Sequence, residues 1–434
     1  MSQSPFPRRM LPSHRWCSSC LPFRAPLVLL VLAAALPLAG CGRDTGEGPG
    51  PIQIIQNPGF TRQWATSLQL GSRDSVRSLF VRDDYLIVYT KQGWAYGLSR
   101  IDGQPRVNMK VPSGDFRMFP PLVLKEHLVF PTITTLEIYG LSGARERALE
   151  VGAAIRANCV GAGTNVFVPV DSPDGGARLK RYDLSNRAVS VPAWELQAWK
   201  GGLASAPALH TDTVYFAAET GTVYAVSADG RAPIWPLPGN VFEARAPVVA
   251  PLMVDDVGLY VSTVEGKLYC VNRTSGQVKW QWFASGPLEL APVPLADTIY
   301  VRDPKRGWAA IDKVENPEIK GPQYNRKERW VREDIVQILS QDERHTYVLT
   351  QDGHISALDK KNGQTRFRSA RSDLKVFATN NKDATIYTST DRGRIIAVKA
   401  VLQPGQTGEV VMLDDARLED EMESGVIALY AVSE

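Results

Sequence analysis

The sequence predicts an all-β protein, an eight-bladed β-propeller of four-stranded antiparallel blades closed by an N-terminal strand. Three observations carry this. A strand–turn–strand pattern recurs with a mean step of about 43 residues, within the four-strand blade range. Eight copies of it fit between residues 59 and 409. The last copy also lacks an outer strand, while the first residues of the domain supply one.

The repeat is clearest in five places. One copy reads Thr213-Val214-Tyr215-Phe216, then Gly221-Thr222-Val223-Tyr224-Ala225-Val226, then Asp229-Gly230 and Trp235. Equivalent stretches begin at Leu86, Leu259, Thr346 and Thr385, and weaker ones at Leu128, Val166 and Ile299. Gly221, Gly266, Gly353 and Gly393 open the third strand of their blades, where a turn asks for a positive φ that costs glycine little. Asp-Gly, Ser-Gly and Asn-Gly pairs supply the turn that follows. A small residue recurs four positions after the opening glycine (Gly97, Ala225, Cys270, Ala357, Ala397), as close blade-to-blade packing would require. Trp235, Trp280 and Phe367 then end the blade as plugs between neighbours. Ala-Pro pairs at 206–207, 246–247 and 291–292 begin innermost strands, where proline at a strand start is tolerated.

The copy at Thr385 runs out at Val398 without a terminal aromatic. Phe60-Thr61-Arg62-Gln63-Trp64-Ala65 has the form of a fourth strand with Trp64 as plug, so the N-terminus is expected to close the ring and remove an exposed edge. Residues 410–434, with acids at 414, 415, 419, 420, 421 and 423, lie beyond the repeat. Their apolar end, Val426–Val432, is a candidate for an extra edge strand.

Ahead of the domain, residues 1–40 carry Arg8, Arg9, Arg15 and Arg24 and no acid, followed by the apolar run Leu27–Leu36. That run is shorter than the roughly 20 apolar residues a spanning helix needs and suits a signal peptide. Leu38-Ala39-Gly40-Cys41 resembles the lipobox of bacterial lipoproteins, which implies diacylglycerol attachment at Cys41 and a membrane partner through that anchor. Residues 41–58, rich in glycine, proline and polar groups, read as a flexible tether. Cys17-x-x-Cys20 has metal or redox spacing but falls in the leader. Cys159 and Cys270 fall two blades apart, and no bridge is expected between them.

Without the leader the chain holds 45 basic and 46 acidic residues, which excludes the strongly basic footprint of a nucleic-acid binder. Catalytic templates are missing from the sequence. The histidines at 127, 210, 345 and 354 stand singly, without metal-binding spacing. Gly-x-Ser-x-Gly and phosphate-loop motifs do not occur, and Gly161-Ala162-Gly163 sits between strands as a turn. Asp312 and Asp359 occupy the repeat's own Asp position and read as turn caps. No cofactor, metal or catalytic residue is therefore assigned.

The idealised repeat, Gly-x-[Val/Leu/Ile]-x-Ala-[Val/Leu]-Asp-x-x-[Thr/Ser]-Gly-x-x-x-Trp, resembles the pyrroloquinoline-quinone-like (PQQ-like) repeat over roughly residues 60–402. Quinone dehydrogenases with this repeat tend to carry an adjacent Cys-Cys pair, which this sequence lacks. Lipobox, tether, length and blade count together resemble the BamB family of outer-membrane β-barrel assembly factors. That resemblance implies a non-catalytic scaffold on the periplasmic side of the outer membrane, docking on an envelope protein partner. A ligand- or glycan-binding envelope propeller is the alternative, and a quinone-dependent dehydrogenase the enzymatic competitor. The longest insertion, residues 313–334, carries Tyr324, Arg326, Lys327, Arg329 and Trp330. Exposed aromatic and arginine residues are enriched at interfaces, so these five form the candidate partner-binding loop.

Overall fold

The computed structural model describes residues 60–112, 119–171, 177–188, 190–197, 202–203, 205–230, 232–236, 238–315, 324–369, 374–400, 409–411 and 430–432. The leader, Cys41 and the tether lie outside the described residues. Eight four-stranded antiparallel sheets form a ring. Blade 1 spans residues 76–110, blade 2 122–150, blade 3 160–197, blade 4 208–243, blade 5 253–283, blade 6 293–332 and blade 7 335–368. Blade 8 takes three strands from residues 374–400 and its outer strand from Phe60–Ser67. Glu409–Val411 pairs with Tyr430–Val432 as a separate two-stranded sheet.

The N-terminal strand closes the ring as its sequence implied, pairing from Phe60 opposite Ala400 to Ser67 opposite Arg394. It fastens two seams at once. Phe60 packs on Tyr347 and Phe367 of blade 7, with ring centroids 6.1 and 5.5 Å away. Trp64 lies on the other side, its indole N–H donating to the Arg100 carbonyl of blade 1 at 2.9 Å.

The small repeat residue has a cause different from the one its position suggested. Ala225, Cys270, Ala310, Ala357 and Ala397 each stand directly opposite a second-strand tyrosine: Tyr215, Tyr260, Tyr300, Tyr347 and Tyr387. On their other flank, Cys270 faces Trp280, Ala310 faces Trp330, Ala357 faces Phe367 and Ala397 faces Trp64. A small side chain lets the two rings meet across it within one blade. Their centroids lie 6.1 Å apart for Tyr260–Trp280, 5.8 Å for Tyr300–Trp330 and 6.0 Å for Tyr387–Trp64, contacts worth on the order of 1 kcal/mol beyond burial. In blade 1 the small residue, Gly97, faces Ile87 and not Tyr89, so that copy aligns two residues earlier than its aromatic suggests.

Between blades the tryptophans act as hydrogen-bonded plugs. Trp235 donates to the Arg273 carbonyl at 2.8 Å, Trp280 to Lys313 at 2.7 Å and Trp330 to Lys360 at 3.1 Å. Each acceptor follows the repeat's Asp/Asn position in the next blade. The turn glycine there is obligatory, because a Cβ on Gly363 (φ +71°) would stand 2.6 Å from the Trp330 ring. Asp359 and Asn272 cap these turns through backbone N–H groups two and three residues on, as expected. Cys159 and Cys270 are buried free thiols; burial pushes both above the usual thiol range, Cys270 to about 12.

Candidate interaction surface

Of the blade 6 insertion, residues 313–315 and 324–334 are described. Its described end folds back along blade 5 and covers the edge of that blade's outer strand, Val278–Phe283. The Gln281 N–H donates to the Tyr324 carbonyl, and the Arg326 N–H to the Gln281 carbonyl, both at 2.8 Å. The Gln281 side-chain amide adds a third bond, to Asn325 Oδ1 at 2.8 Å. An open strand edge is thereby satisfied within the chain.

Three of the five candidate residues are consequently structural. Trp330, 6% exposed, is the plug of blade 6. Arg326 is buried, its guanidinium 5.7 Å from the centre of the Trp280 ring, and burial lowers its pKa. Arg329 pairs with Asp312 and Asp297 and donates to Thr298 Oγ1 at 3.0 Å. The fourth strand explains Arg329. In six blades its register skips one residue two before or just ahead of the plug position, a β-bulge that turns the skipped side chain aside. The skipped residues are Gln63, Arg106, Glu146, Lys279, Arg329 and Arg366. Arg106 reaches Ser99, Arg329 reaches Asp312 and Arg366 reaches Asp359, each at the end of the third strand of its own blade. A basic residue directly before the plug, as in Arg329-Trp330 and Arg366-Phe367, was the sequence signal for this role; Lys279, before Trp280, donates instead to the Val257 carbonyl at 2.8 Å.

A second set of ion pairs crosses the seams. Arg100 reaches back to Asp383 at 2.5 Å, Lys313 to Asp255 at 2.7 Å and Lys360 to Asp297 at 3.0 Å, each acid lying in the first turn of the preceding blade. The same basic residue thus offers its carbonyl to the preceding blade's tryptophan and its side chain to that blade's aspartate. Burial alone would raise Asp297, but the hydrogen bonds and charges of Lys360 and Arg329 outweigh it and hold the carboxyl at about 2. Asp312, expected as a turn cap, is instead the partner of Arg329.

Tyr324 (47% exposed), Asn325 and Lys327 remain at the surface, held on the outer rim between blades 5 and 6 by the edge pairing beneath them. Nearby, Glu328 accepts from the Trp282 indole at 3.0 Å and pairs with Arg306 at 2.5 Å. Phe283 (47%), the last residue of the outer strand of blade 5, and Leu290 (57%), in the link from blade 5 to blade 6, stand exposed. The histidines have separate partners: His127 faces Glu146 at 3.3 Å, His210 faces Asp256 at 3.0 Å, His345 faces Asp342 at 3.4 Å, and His354 Nδ1 contacts the Ser369 carbonyl at 2.6 Å. Among the described residues no cluster of three or more His, Cys, Asp or Glu side chains could hold a metal ion. What the rim offers is a fixed mixture of phenol, amide, ammonium and apolar surface, which is suited to contact.

Ring closure, repeat and plugs define the class: an eight-bladed β-propeller of PQQ-like repeats. Within that class the chain resembles BamB. The family model described as outer membrane protein assembly factor BamB matches residues 220–316, from the third strand of blade 4 through the third strand of blade 6. The crystal structure of BamB from Moraxella catarrhalis is similar at a TM-score of 0.56 and 17% identity, covering 78% of this chain and 97% of that one. The computationally designed Ika8 protein is similar at a TM-score of 0.55 and 13% identity, covering 79% of this chain and 100% of its own. At these identities the two structures speak for the fold. No curated protein matches the chain.

Proposed function

We propose that this protein is a non-catalytic, lipid-anchored scaffold of the cell envelope that holds a protein partner in outer-membrane protein assembly. The observation that carries the reading is the match of residues 220–316 to the BamB family model, which takes in blade 5 and the first three strands of blade 6; the rim that presents Tyr324 and Lys327 follows that stretch and lies on the edge of blade 5. Such a rim costs little to order on binding, since the edge pairing with Gln281 has already fixed its backbone. Tyrosine supplies amphipathic area and lysine a charge for steering, the two contributions a contact surface needs. Arg326, Arg329 and Trp330 support that surface from beneath.

The anchor follows from Leu38-Ala39-Gly40-Cys41. Cys41→Ala should abolish acyl labelling and release the protein from membranes; an Ala variant that still fractionates with membranes, beside a native protein that takes up no acyl label, contradicts the lipobox. The docking surface is tested by pull-down of β-barrel assembly components. Tyr324→Ala with Lys327→Ala should weaken capture at least tenfold while thermal stability stays unchanged. Undiminished capture would remove this rim from the interface.

A further inference from the structure

The channel wall is not uniform around the ring. In blades 2 to 6 the innermost strand is two or three residues long: Leu122–Val123, Val160–Ala162, Ala208–His210, Met253–Val254 and Val293–Pro294. In the three consecutive blades 7, 8 and 1 it is longer: Ile335–Gln341, Leu374–Phe377 and Val76–Arg82. These three strands share a further feature at one register position. Ile335 pairs with Thr350 and Gln337 with Leu349, skipping Val336. Leu374 pairs with Thr390 and Val376 with Ser389, skipping Lys375. Val76 pairs with Thr90 and Ser78 with Tyr89, skipping Arg77. A β-bulge re-aims the side chain it carries and is over-represented beside binding sites. All three skipped residues are exposed, Val336 at 47%.

Two of these strands, those of blades 7 and 8, are tied to one another by side-chain hydrogen bonds. Gln337 Nε2 donates to the Phe377 carbonyl and to Thr379 Oγ1, each at 3.2 Å, and Thr379 Oγ1 donates to the Ile338 carbonyl at 2.8 Å. Arg77 and Lys375, on adjacent blades, and Val336, on the blade next to that of Lys375, thus occupy the same register position of their innermost strands. Among the described residues neither Arg77 nor Lys375 has an ion pair or side-chain hydrogen bond. Of the carboxylates nearby in sequence, Asp74 accepts from the Ser75 and Gln92 N–H groups at 2.9 and 3.0 Å and Asp334 pairs with Arg332 at 2.5 Å, while Asp373 lies outside the described residues. Glu333 is exposed on the link into blade 7 and is the one acid at this end of that strand without such a partner. Further along the blade 1 strand, Arg82 is held by the Pro121 carbonyl at 3.0 Å, and burial lowers its pKa, as expected of a cation with carbonyl and not carboxylate partners.

We propose that this end of the channel, on the wall of blades 7, 8 and 1, binds a small organic anion. Its oxyanion lies between Arg77 and Lys375 and its apolar part on Val336. A planar guanidinium binds carboxylate or phosphate bidentately while an ammonium acts as a point charge, so the shared chemistry is an oxyanion carrying an apolar substituent. The proposal rests on the propeller geometry alone and stands apart from the docking rim of blades 5 and 6.

The test is titration calorimetry on the full-length chain in mild detergent, with 3-phenylpropionate, phenyl phosphate and inorganic phosphate as probes. At least one of the two organic anions should bind, and more tightly than inorganic phosphate; which of them does assigns the oxyanion as carboxylate or phosphate. Affinity should fall with added salt, since exposed charges are screened within about 10 Å at 0.1 M. Arg77→Gln with Lys375→Gln should weaken binding at least tenfold, and Val336→Asp should do the same to the organic anions. These exposed substitutions should leave thermal stability unchanged, and the melting curve of each variant checks that. Absence of binding by both organic anions at millimolar concentration, equal affinity in the double variant, or inorganic phosphate binding as tightly as the organic anions would each overturn the proposal.

Discussion

Trp330→Ala separates a structural from a surface role for the blade 6 insertion. The indole is 6% exposed, lies 5.8 Å from the Tyr300 ring, covers Gly363 and donates to the Lys360 carbonyl at 3.1 Å. Truncation removes most of an aromatic side chain of roughly 150–250 Å² from the seam between blades 6 and 7. At about 25 cal/mol per Å² that is roughly 4–6 kcal/mol of transfer energy, and measured Trp-to-Ala losses in cores centre on about 3–5 kcal/mol. The lost hydrogen bond places this site toward the upper end, because it leaves the Lys360 carbonyl unsatisfied. Chemical denaturation followed by far-UV circular dichroism reads the effect as a fall in midpoint. Tyr324→Ala, six residues away and 47% exposed, is the matched control and should stay within about 0.5 kcal/mol. A loss below about 1 kcal/mol for Trp330→Ala, or equal losses for the two variants, would refute the plug assignment.

Three further outcomes follow from the same geometry. Arg329→Ala strands the nearly buried Asp312 carboxylate beside Asp297 and should cost roughly 3 kcal/mol, with Asp312→Asn in the same background restoring part of it; a neutral Arg329→Ala would return that residue to the surface. Deleting residues 60–67 removes the outer strand of blade 8 and exposes the Arg394–Ala400 edge, so the variant should aggregate on light scattering where the intact protein stays monodisperse, and unchanged melting and solubility would mean that the ring closes otherwise. Asp297, Asp303 and Asp342 are held at about 2, each against its own burial, by Lys360 and Arg329, by Ser285 and backbone N–H groups, and by His345 and Tyr347. Their folded pKa values lie below the unfolded value of about 3.9, so their contribution is complete above that pH and disappears as pH falls toward 2. The denaturation midpoint should drop across that window, less steeply in Asp297→Asn, and a flat profile would contradict the assigned pairs.

The blade count, the closing strand and the plugs were legible because each leaves a periodic mark: a glycine of positive φ, an aromatic at fixed offset, a final copy short of one strand. The reason for the small repeat residue was not. Cys270 reads as a close-packing position, and only the register placing Tyr260 and Trp280 on either side of it reveals that two rings meet there. The fourth-strand bulge escaped for a related reason. A skipped residue leaves the spacing intact, so Arg329 looks like part of a solvated loop until its side chain is followed to Asp312. Long-range ion pairs such as Lys313–Asp255 join turns 58 residues apart, a separation no local pattern encodes. At the candidate surface, charge and aromatic content singled out residues 313–334 as one loop. It did not distinguish Tyr324 and Lys327, which face solvent, from Arg326, Arg329 and Trp330, which hold the seam, because burial is decided by the edge of blade 5.

The central claim is that this propeller works by contact, through a rim set on blades 5 and 6. Site-specific photo-crosslinking in the native envelope tests it most directly, with the reactive residue placed in turn at Tyr324, Lys327 and, on the outer strand of blade 8, Thr61. The account predicts a discrete adduct with a β-barrel assembly component from positions 324 and 327 and none from position 61. Adducts of equal yield from all three positions, or from 61 alone, would contradict it.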